Sequence, residues 1–527
     1  MSLELQQALF ENKVTRRWLL DYTPISTEVF KVQVFRNHSF ELIEHTLPAY
    51  LDYANLRVNF SYSGYDDSFS FMELDESVDM ILVWIDLNRY KEGDIASYIK
   101  ARVKELRKRY KGHILVAPLG GQLGIQEPGV VEYSFDGVRK QLGDKFLDEK
   151  NLAMTGTPLS NKSMMMVAKE LGLRYIPSII KSPLKAIVVD LDNTLYKGVL
   201  GEDGIEGVEL TDGHINLQQF LKKKSEEGFF LCISSKNELE DVKRMFAERK
   251  DFPLSLSDFT RVEVSWNAKA SSIDEIAKFL NIGMDSILFI DDNIGELYSV
   301  QSNFPSIHLI HALDDAGLTT DILMNYPGIT KFTNTQEDAF RKNDAIANEY
   351  RQKMQEQLSP DEYIKSLELK LEYFVNNKEQ IERISQLSNK TNQFIFNYMR
   401  YSEQDIYDRM ADDKYAVISV ALSDKLSDSG LICVCVGEKE ENVVIIEECF
   451  MSCRALGRGI DDIIINVAIS EVVKKLGCKN IHICFQKGAR NLPAEKYIDK
   501  YLAMYKNTTS TFEYNLVNPN VTIINNR

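Results

Sequence analysis

Lys185-Ala-Ile-Val-Val-Asp190-Leu-Asp192-Asn-Thr194-Leu is the stretch that decides the fold of this chain. The apolar residues after Lys185 predict a buried parallel strand, and two aspartates lie at its end. Parallel α/β sheets bind their ligands at the carboxyl ends of the strands, so Asp190 and Asp192 are expected to face a ligand. The two carboxylates therefore mark the first candidate site.

Three more motifs follow in the middle of the chain, and each brings polar groups to a strand end or a helix start. They are Ser234, Ser235, Lys236 and Asn237 after a predicted strand that begins near Gly228, Lys269 before a predicted helix from Ser271 to Leu280, and Asp291 and Asp292 at the end of a predicted strand from Ser286. Hydroxyls before a helix N-terminus are well placed for a phosphate oxygen. A lysine there can neutralise a phosphoryl group and keep a carboxylate ionised.

Phosphoryl transfer is the chemistry that fits this set. Asp190 and Asp192 suit a hard cation such as Mg²⁺, which takes few carboxylates and completes its shell with water and phosphate oxygens. One acid can attack phosphorus while the other protonates the leaving oxygen. Each residue alone is more often a helix cap or a surface charge, but the ordered set on three strand ends favours a phosphatase site.

This ordered set resembles the haloacid dehalogenase (HAD) superfamily of aspartyl phosphotransferases. The resemblance implies Asp190 as the nucleophile, Asp192 as the general acid/base and Lys269 as the phosphate-binding lysine. It also implies Mg²⁺ as the cofactor, with the candidate ligands Asp190, Asp192, Asp291 and Asp292. In the family the second aspartate binds the metal through its main-chain carbonyl. For Asp292, a supporting role behind the other ligands is favoured.

The predicted substrate-binding residues of the HAD-like part surround the nucleophile in sequence. Ser235 is the expected phosphate-binding hydroxyl, and Ser234 is its alternative because the motif tolerates a shift of one residue. The full set is Thr194, Ser234, Ser235, Lys236 and Asn237.

The segment from Tyr196 to Leu210 carries Gly201 and Gly204 around a Glu-Asp pair, and this spacing predicts a β-hairpin flap over the site. The short spacing between the first two motifs leaves no room for a large cap domain. Residues 191–207 resemble the FkbH-like branch of the superfamily, with Tyr196-Lys-Gly in place of Trp-Gly-Gly. That resemblance implies the loading of a glyceryl unit from a bisphosphoglycerate-type donor onto an acyl carrier protein, with loss of phosphate.

Residues 1–180 predict a further parallel α/β layer. The predicted strands are 31–35, 56–60, 80–84 and 113–117, with helices over 39–51 and 94–109. The layout resembles a degenerate SGNH-hydrolase-like domain, although the Gly-Asp-Ser signature of that family is missing. His38 beside Ser39 could be a base beside a nucleophile, but helix capping by Ser39 is favoured. We predict a non-catalytic scaffold or docking domain.

The end of the chain predicts a polar helix over 335–356, most simply a solvated connector, and then a capping box at Ser359 with Pro360 at the first helical position. Strands are predicted at 367–375, 416–421, 431–436 and 443–449. The stretch from Gln386 to Phe394 matches a second FkbH-like signature. Arg454-x-x-Gly457-x-Gly459 before a helix to about Leu476 resembles the pyrophosphate loop of GNAT acyltransferases.

Cys453 is the thiol of interest because it directly precedes this predicted anion loop. Arg454, Arg458 and the helix N-terminus would lower its pKa and favour the thiolate. The FkbH-like resemblance makes Cys453 a candidate to hold the glyceryl group as a thioester. A buried, inert cysteine is the other interpretation, and both stay open.

Composition limits the other possibilities. At 527 residues the chain is too long for one core, and its net charge of −16 argues against a nucleic-acid partner. Seven cysteines without a CxxC pair indicate reduced thiols, and neither a leader nor an apolar run of membrane length is visible. We therefore expect a cytoplasmic protein without a membrane partner.

The sequence as a whole predicts an α/β protein of three domains. They are an SGNH-like domain over 1–180, a HAD-type phosphatase domain with a Rossmann-like parallel sheet over 181–327 and a GNAT-like α+β acyltransferase domain over 366–527. A helical linker over 328–365 joins the second domain to the third. The predicted function is phosphatase action on a phosphorylated small molecule, coupled to acyl transfer to a carrier protein. The rivals are a plain small-molecule phosphatase with docking domains and a binding protein whose phosphatase site is vestigial.

Overall fold

The chain forms two compact units, residues 1–276 with 283–333 and residues 277–282 with 334–527. A computed structural model describes residues 3–65, 69–90, 94–110, 112–127, 129–181, 183–332, 336–391, 393–452, 455–456, 458–488, 491–506, 510–512 and 519–526. Each unit is described below by itself. The domain boundaries at 180, 327 and 365 stay predictions.

The first unit begins with a five-stranded parallel sheet in the order β2-β1-β3-β4-β5. Its strands are β1 Val29–Arg36, β2 Arg57–Tyr62, β3 Met80–Asp86, β4 His113–Leu119 and β5 Val130–Glu132. All residues of β3 are buried, as expected for an apolar strand covered on both faces. The four strands predicted in this region are therefore confirmed.

The helices around this sheet are short apart from α5. They are α1 Leu3–Gln6, α2 Arg16–Asp21, α3 Glu41–Glu44, α4 Pro48–Tyr53, α5 Ile95–Arg109, α6 Asp136–Leu142, α7 Glu149–Thr155, α8 Asn161–Glu170 and α9 Ile176–Ile180. The helix predicted over 39–51 is two helices, since Pro48 starts a new one. Asp94 caps α5 through its side chain, at the predicted start.

A second five-stranded parallel sheet follows, in the order β10-β9-β6-β7-β8. Its strands are β6 Ala186–Val189, β7 Phe230–Ser235, β8 Arg261–Val264, β9 Ile287–Asp291 and β10 His308–His311. The chain winds from β6 to β7 on one side and returns to β9 on the other. The carboxyl end of β6 therefore lies at a topological switch point, where α/β sheets bind ligands.

Helices connect the strands of this sheet and confirm the predicted Rossmann-like α/β class. They are α10 Leu200–Gly207, α11 Asp212–Glu226, α12 Leu239–Glu248, α13 Lys269–Leu280, α14 Ile294–Asn303 and α15 Ala316–Met324. Between β6 and β7 the structure contains only α10 and α11. The prediction that no large cap domain is inserted here is therefore confirmed.

The predicted β-hairpin flap is wrong. A single antiparallel bridge joins Lys197 to Glu209, and the chain between them forms the short helix α10, which is interrupted at Gly204 with a φ of 69°. The Asp203 carboxylate accepts the Val199 N–H at 2.7 Å and so holds the first turn of this helix. A local carboxylate cap thus competes successfully with strand pairing in this glycine-rich segment.

The two sheets of the first unit share one hydrophobic core on their facing helical layers. Phe10 contacts Tyr53 with ring centroids 5.8 Å apart, and Tyr53 contacts Tyr326 at 5.7 Å. This aromatic series runs from the start of the chain through the first layer to the end of the second. The N-terminal residues therefore pack on the second sheet as well as on the first.

The second unit contains a seven-stranded mixed sheet in the order β16-β15-β14-β13-β12-β11-β17. Its strands are β11 Lys370–Val375, β12 Tyr415–Ser423, β13 Asp428–Glu440, β14 Val443–Met451, β15 Asn480–Ile483, β16 Ser510–Thr511 and β17 Thr522–Asn526. β11 begins later than the predicted Leu367, because α17 continues to that residue. The mixed sheet confirms the α+β class, while the GNAT resemblance stays a prediction.

The helices of this unit precede the first strand or lie between later strands along the chain. They are α16 Gln336–Gln357, α17 Pro360–Leu367, α18 Ile381–Lys390, α19 Glu403–Ala411, α20 Asp461–Leu476 and α21 Leu492–Tyr497. The capping box of Ser359 and Glu362 forms as predicted, with Pro360 in the first turn.

A buried cluster of four charged side chains corrects a further prediction. Asp344 and Arg351 on α16 pair with Asp424 and Arg458, and none of the four side chains is more than 3% exposed. The polar helix is therefore packed into this unit and is not a solvated connector. The Arg458 guanidinium pairs with the Asp344 and Asp424 carboxylates. Cys453 lies outside the described residues, so the predicted effect of Arg458 on its pKa stays a prediction.

Candidate active site

The centre of the candidate site is the side chain of Lys269, at the first residue of α13. Its ammonium lies 2.7 Å from an Asp190 carboxylate oxygen and 2.9 Å from an Asp291 carboxylate oxygen. It also donates a hydrogen bond to the Ser234 carbonyl oxygen at 2.7 Å. The ends of β6, β7 and β9 are thus joined through one lysine, as the motif order predicted.

Asp292 completes a group of three carboxylates with Asp190 and Asp291. One oxygen from each of the three lies within 4.8 Å of the others. Burial and the neighbouring Asp190 charge raise the pKa of Asp291 to about 7, in spite of Lys269, and burial raises the pKa of Asp292. Three carboxylates against one ammonium leave excess negative charge in the interior. Such a set of hard oxygen donors fits Mg²⁺.

Asp192 is held by three donors on the opposite side of the strand end. Its Oδ1 accepts from the Tyr196 hydroxyl at 2.6 Å and from the Leu200 N–H at 3.0 Å. Its Oδ2 accepts from the Asn237 amide at 2.9 Å. No carboxylate oxygen of Asp192 belongs to the group around Lys269. The structure therefore separates the two acids of the first motif, which the sequence alone could not do.

The two serines of the second motif differ in their environments. Ser235 Oγ lies 3.2 Å from the amide nitrogen of Asn237, and Asn237 also contacts Asp192. Ser234 is fully buried, and among the described residues its hydroxyl has no hydrogen-bond partner, while its carbonyl accepts from Lys269. Successive residues of a strand point to opposite faces, so only one of the two can face the carboxylates. Its contact with Asn237 favours Ser235.

The remaining predicted substrate-binding residues lie at the edge of this arrangement. Lys236 pairs with Glu296 at the start of α14. Thr194 is buried, and its hydroxyl has no partner within the described part of the chain. The roles of Lys236 and Thr194 in substrate binding stay predictions.

Sequence reasoning missed the role of Tyr196. The residue was noted only as a departure from the Trp of the FkbH-like pattern, yet its buried hydroxyl holds Asp192. Burial and the nearby Asp192 and Asp190 charges raise the pKa of this tyrosine, so the phenol is a donor at neutral pH. The spacing of four residues from Asp192 was the signal available, because a tight turn brings such residues together.

The predicted C-terminal anion loop is only partly described. Cys453, Arg454 and Gly457 lie outside the described residues, and their roles stay predictions. Gly459 has a φ of 76°, which suits glycine. The first turn of α20 carries Asp461 and Asp462. These acids stabilise the helix N-terminus but oppose the binding of another anion there.

The residues His38 and Ser39 of the first sheet do not form a base and nucleophile pair in the described structure. His38 is buried, with Nδ1 3.1 Å from the Thr157 hydroxyl, and burial lowers its pKa to about 3. Ser39 Oγ lies 3.3 Å from the Tyr65 hydroxyl. Ser39 is not the N-cap of α3 either, since Phe40 occupies that position. The favoured capping role is therefore wrong.

Comparisons with known proteins add two distant likenesses. No protein-family model matches the chain, and no curated protein sequence matches it significantly. The N-terminal part of a Bacteroides fragilis protein, which contains a phosphatase domain and was crystallised with Mg, is 18% identical with a TM-score of 0.48, over 60% of this chain and 100% of that one. A mutant spermidine N-acetyltransferase from Vibrio cholerae is 15% identical with a TM-score of 0.17, over 21% of this chain and 68% of that one.

At these identities and TM-scores, neither likeness carries an argument about this chain. Within the described part of the chain, no helix combines the length and the apolar character needed to cross a membrane.

Proposed function

We propose that this chain is a Mg²⁺-dependent phosphatase of the HAD type that acts through an aspartyl-phosphate. The observation that carries the proposal is the position of Lys269 between Asp190 and Asp291 at the strand ends of the second sheet. A lysine and clustered carboxylates at a topological switch point are the groups that phosphoryl transfer requires. The substrate class is a phosphorylated small molecule.

The first step is attack of an Asp190 carboxylate oxygen on the phosphorus of the substrate. The bond from phosphorus to the substrate oxygen breaks, and Asp192 donates a proton to that leaving oxygen. Lys269 pairs with the Asp190 carboxylate and neutralises the charge on the phosphoryl oxygens. Ser235 donates a hydrogen bond to one of those oxygens. The products are the substrate alcohol and a phosphorylated Asp190.

The second step is hydrolysis of the aspartyl-phosphate. Asp192 accepts a proton from a water molecule, whose oxygen attacks phosphorus, and the bond to the Asp190 carboxylate breaks. Inorganic phosphate leaves, and both acids return to their first state. Tyr196, Asn237 and the Leu200 N–H keep the Asp192 carboxylate in place through this cycle.

The carboxylate group of Asp190, Asp291 and Asp292, with the Asp192 main-chain carbonyl, would hold the cation. Mg²⁺ bound there would neutralise the developing charge on the phosphoryl oxygens. Burial and the Asp190 charge raise the pKa values of Asp291 and Asp292, and a bound cation would stabilise their ionised forms, which supports this assignment.

The finer proposal follows the FkbH-like resemblance. The Cys453 thiolate would attack the acyl carbon of a bisphosphoglycerate-type donor, with loss of phosphate from that carbon, and the resulting thioester would pass to the thiol of an acyl carrier protein. The phosphatase site would remove the second phosphate. The support for this step is the sequence motif alone, and a plain small-molecule phosphatase is the alternative.

Phosphate release tests the phosphatase proposal. The purified protein should hydrolyse p-nitrophenyl phosphate or a bisphosphoglycerate only with Mg²⁺, and Asp190→Asn should abolish the reaction because it removes the nucleophile. Asp212→Asn, at an exposed position of α11, is the matched control and should keep full activity. Hydrolysis by a clean Asp190→Asn preparation would contradict the assignment.

Intact-protein mass spectrometry tests the acyl-transfer step. Incubation with a bisphosphoglycerate and Mg²⁺ should add a glyceryl-sized mass to the protein, and Cys453→Ala should lose it. Cys484→Ala is the control, since Cys484 is a thiol of intermediate exposure. Phosphate release without any adduct would leave the plain phosphatase as the better description.

A further inference from the structure

Gln6 is a polar residue of α1 that is only 1% exposed, and both of its amide atoms contact the backbone of one residue. Its Oε1 accepts the His311 N–H and its Nε2 donates to the His311 carbonyl, each at 3.1 Å. His311 is the last residue of β10, the edge strand of the second sheet. The Gln6 amide thus satisfies the backbone groups that an edge strand leaves without a neighbouring strand.

The end of β10 in turn supports the acids of the third motif. The His311 Nε2 lies 2.9 Å from the Asp292 carbonyl oxygen, and because a carbonyl only accepts, this nitrogen carries the proton in the contact. The next residue, Ala312, donates its N–H to the Asp291 carbonyl at 2.9 Å. Two donors from one strand end therefore hold the backbone of Asp291 and Asp292.

Tertiary packing, and not local helix stability, sets the position of Gln6. α1 contains four residues, too few for a stable isolated helix. The residues that follow it, Leu9 and Phe10, are 4% and 9% exposed, and the Phe10 ring contacts Tyr53 and lies under the Lys169 ammonium at 4.7 Å. The N-terminal segment, residues 3–11, is thus anchored to both layers of the first unit.

We propose that Gln6 and His311 are positioning residues of the cation site. They act in series, since Gln6 fixes the His311 backbone and the His311 ring fixes the Asp292 peptide, which carries one of the three clustered carboxylates. The inference rests on the proposed function, because it assigns these contacts to the binding of Mg²⁺. Residues at the start of the chain would thus support the cation site of a domain that is predicted to begin near residue 181.

Calorimetric titration with Mg²⁺ tests the proposal without depending on turnover. The Gln6→Ala protein should bind Mg²⁺ about tenfold more weakly than the unchanged protein, which is the lower end of the effect of groups that support metal ligands. Gln7→Ala is the matched control, because Gln7 is the neighbouring glutamine and is exposed. Equal affinities for Gln6→Ala and Gln7→Ala would overturn the inference.

His311→Ala supplies a second route if Gln6→Ala fails to fold. It removes the ring contact with Asp292 and leaves the backbone of β10 able to pair, so a similar loss of Mg²⁺ affinity is expected. His308→Ala, on the same strand, is the control and should leave the affinity unchanged. Because Gln6 acts through the His311 backbone, the double variant should lose less affinity than the sum of the two single losses.

The outcomes separate the inference from the proposed function. Additive losses of affinity in the double variant would indicate two independent packing defects and would overturn the serial arrangement. Binding of Mg²⁺ that neither Gln6→Ala nor His311→Ala changes would overturn the inference and leave the phosphatase standing. An unchanged protein that binds no Mg²⁺ and hydrolyses no phosphate ester would overturn both.

Discussion

The two units each bury a cluster of charges, and the clusters differ in their balance. The first has Asp190, Asp291 and Asp292 against the single ammonium of Lys269. The second, which we call the arginine–aspartate cluster, consists of Asp344, Arg351, Asp424 and Arg458. Its two guanidinium groups face two carboxylates, and the Ser427 and Ser429 hydroxyls donate to Asp344 at 2.7 and 2.9 Å.

Charge balance distinguishes a candidate ion-binding site from a cluster that only stabilises the fold. The arginine–aspartate cluster is neutral and its oxygens are hydrogen-bonded, so a further ion would gain little there. Burial, together with repulsion from the Asp190 carboxylate, raises the pKa of Asp291. A cation would relieve this repulsion. Buried charge alone therefore does not indicate function, whereas uncompensated buried charge at a strand end does.

The largest expected effect comes from breaking the balanced cluster. Arg458→Met leaves Asp344 and Asp424 short of one counter-charge in the interior, and the free energy of unfolding of the second unit should fall by about 3–5 kcal/mol. Urea denaturation measures this loss. The double variant Arg458→Met with Asp424→Leu keeps the charge balance and should lose less than the sum of the two single changes. A strictly additive loss would contradict the view that the arginine–aspartate cluster stabilises the unit through its mutual charge pairing.

Breaking the unbalanced cluster should have a smaller and reversible effect. Lys269→Met removes the only ammonium in contact with Asp190 and Asp291 in the described structure, and stability without Mg²⁺ should fall by about 3 kcal/mol. Mg²⁺ at about 100 times its Kd should return about 2.7 kcal/mol. Thermal unfolding with and without Mg²⁺ measures both changes. Mg²⁺ should not rescue Arg458→Met, and rescue of that variant instead would reverse the comparison.

The pH dependence of stability sharpens the same contrast. The pKa of Asp291 is raised from 3.8 to about 7, so without Mg²⁺ the folded protein binds this proton more tightly than the unfolded chain. The contribution of Asp291 to stability is therefore present below pH 3.8 and is lost as the pH rises to about 7. Comparison of denaturation profiles with Asp291→Asn, which should lack this decrease, isolates the effect.

The smallest predicted effect concerns Asp192, whose carboxylate lies outside the group of Asp190, Asp291 and Asp292. Tyr196→Phe removes one of three donors to Asp192, and kcat should fall about tenfold, which corresponds to one hydrogen bond to a charged group. KM and the Mg²⁺ affinity should stay unchanged, since Asp192 uses neither carboxylate oxygen in the group around Lys269. Tyr298→Phe, at an exposed tyrosine of α14, is the control. A fall in Mg²⁺ affinity with Tyr196→Phe would place the Asp192 carboxylate inside the cation site.

Local patterns predicted most of the fold and the main acids of the candidate site. The strands that end at Asp190, Ser235 and Asp291 follow from short apolar runs, which depend on neighbours in sequence. The hairpin prediction for residues 196–210 was wrong because glycine spacing indicates a turn without indicating what pairs beside it. The Asp203 carboxylate accepts a hydrogen bond from the Val199 N–H, and this contact favours a helix there.

Contacts between distant parts of the chain decided the rest. Arg458 meets Asp344 across 114 residues, and Gln6 meets His311 across 305. No periodicity or spacing encodes such pairs, because they form only when separate elements pack together. The sequence by itself determined that acids, a lysine and hydroxyls lie at strand ends. Only the tertiary structure decided which clustered charges are balanced by opposite charges, and therefore which cluster we propose as the cation site.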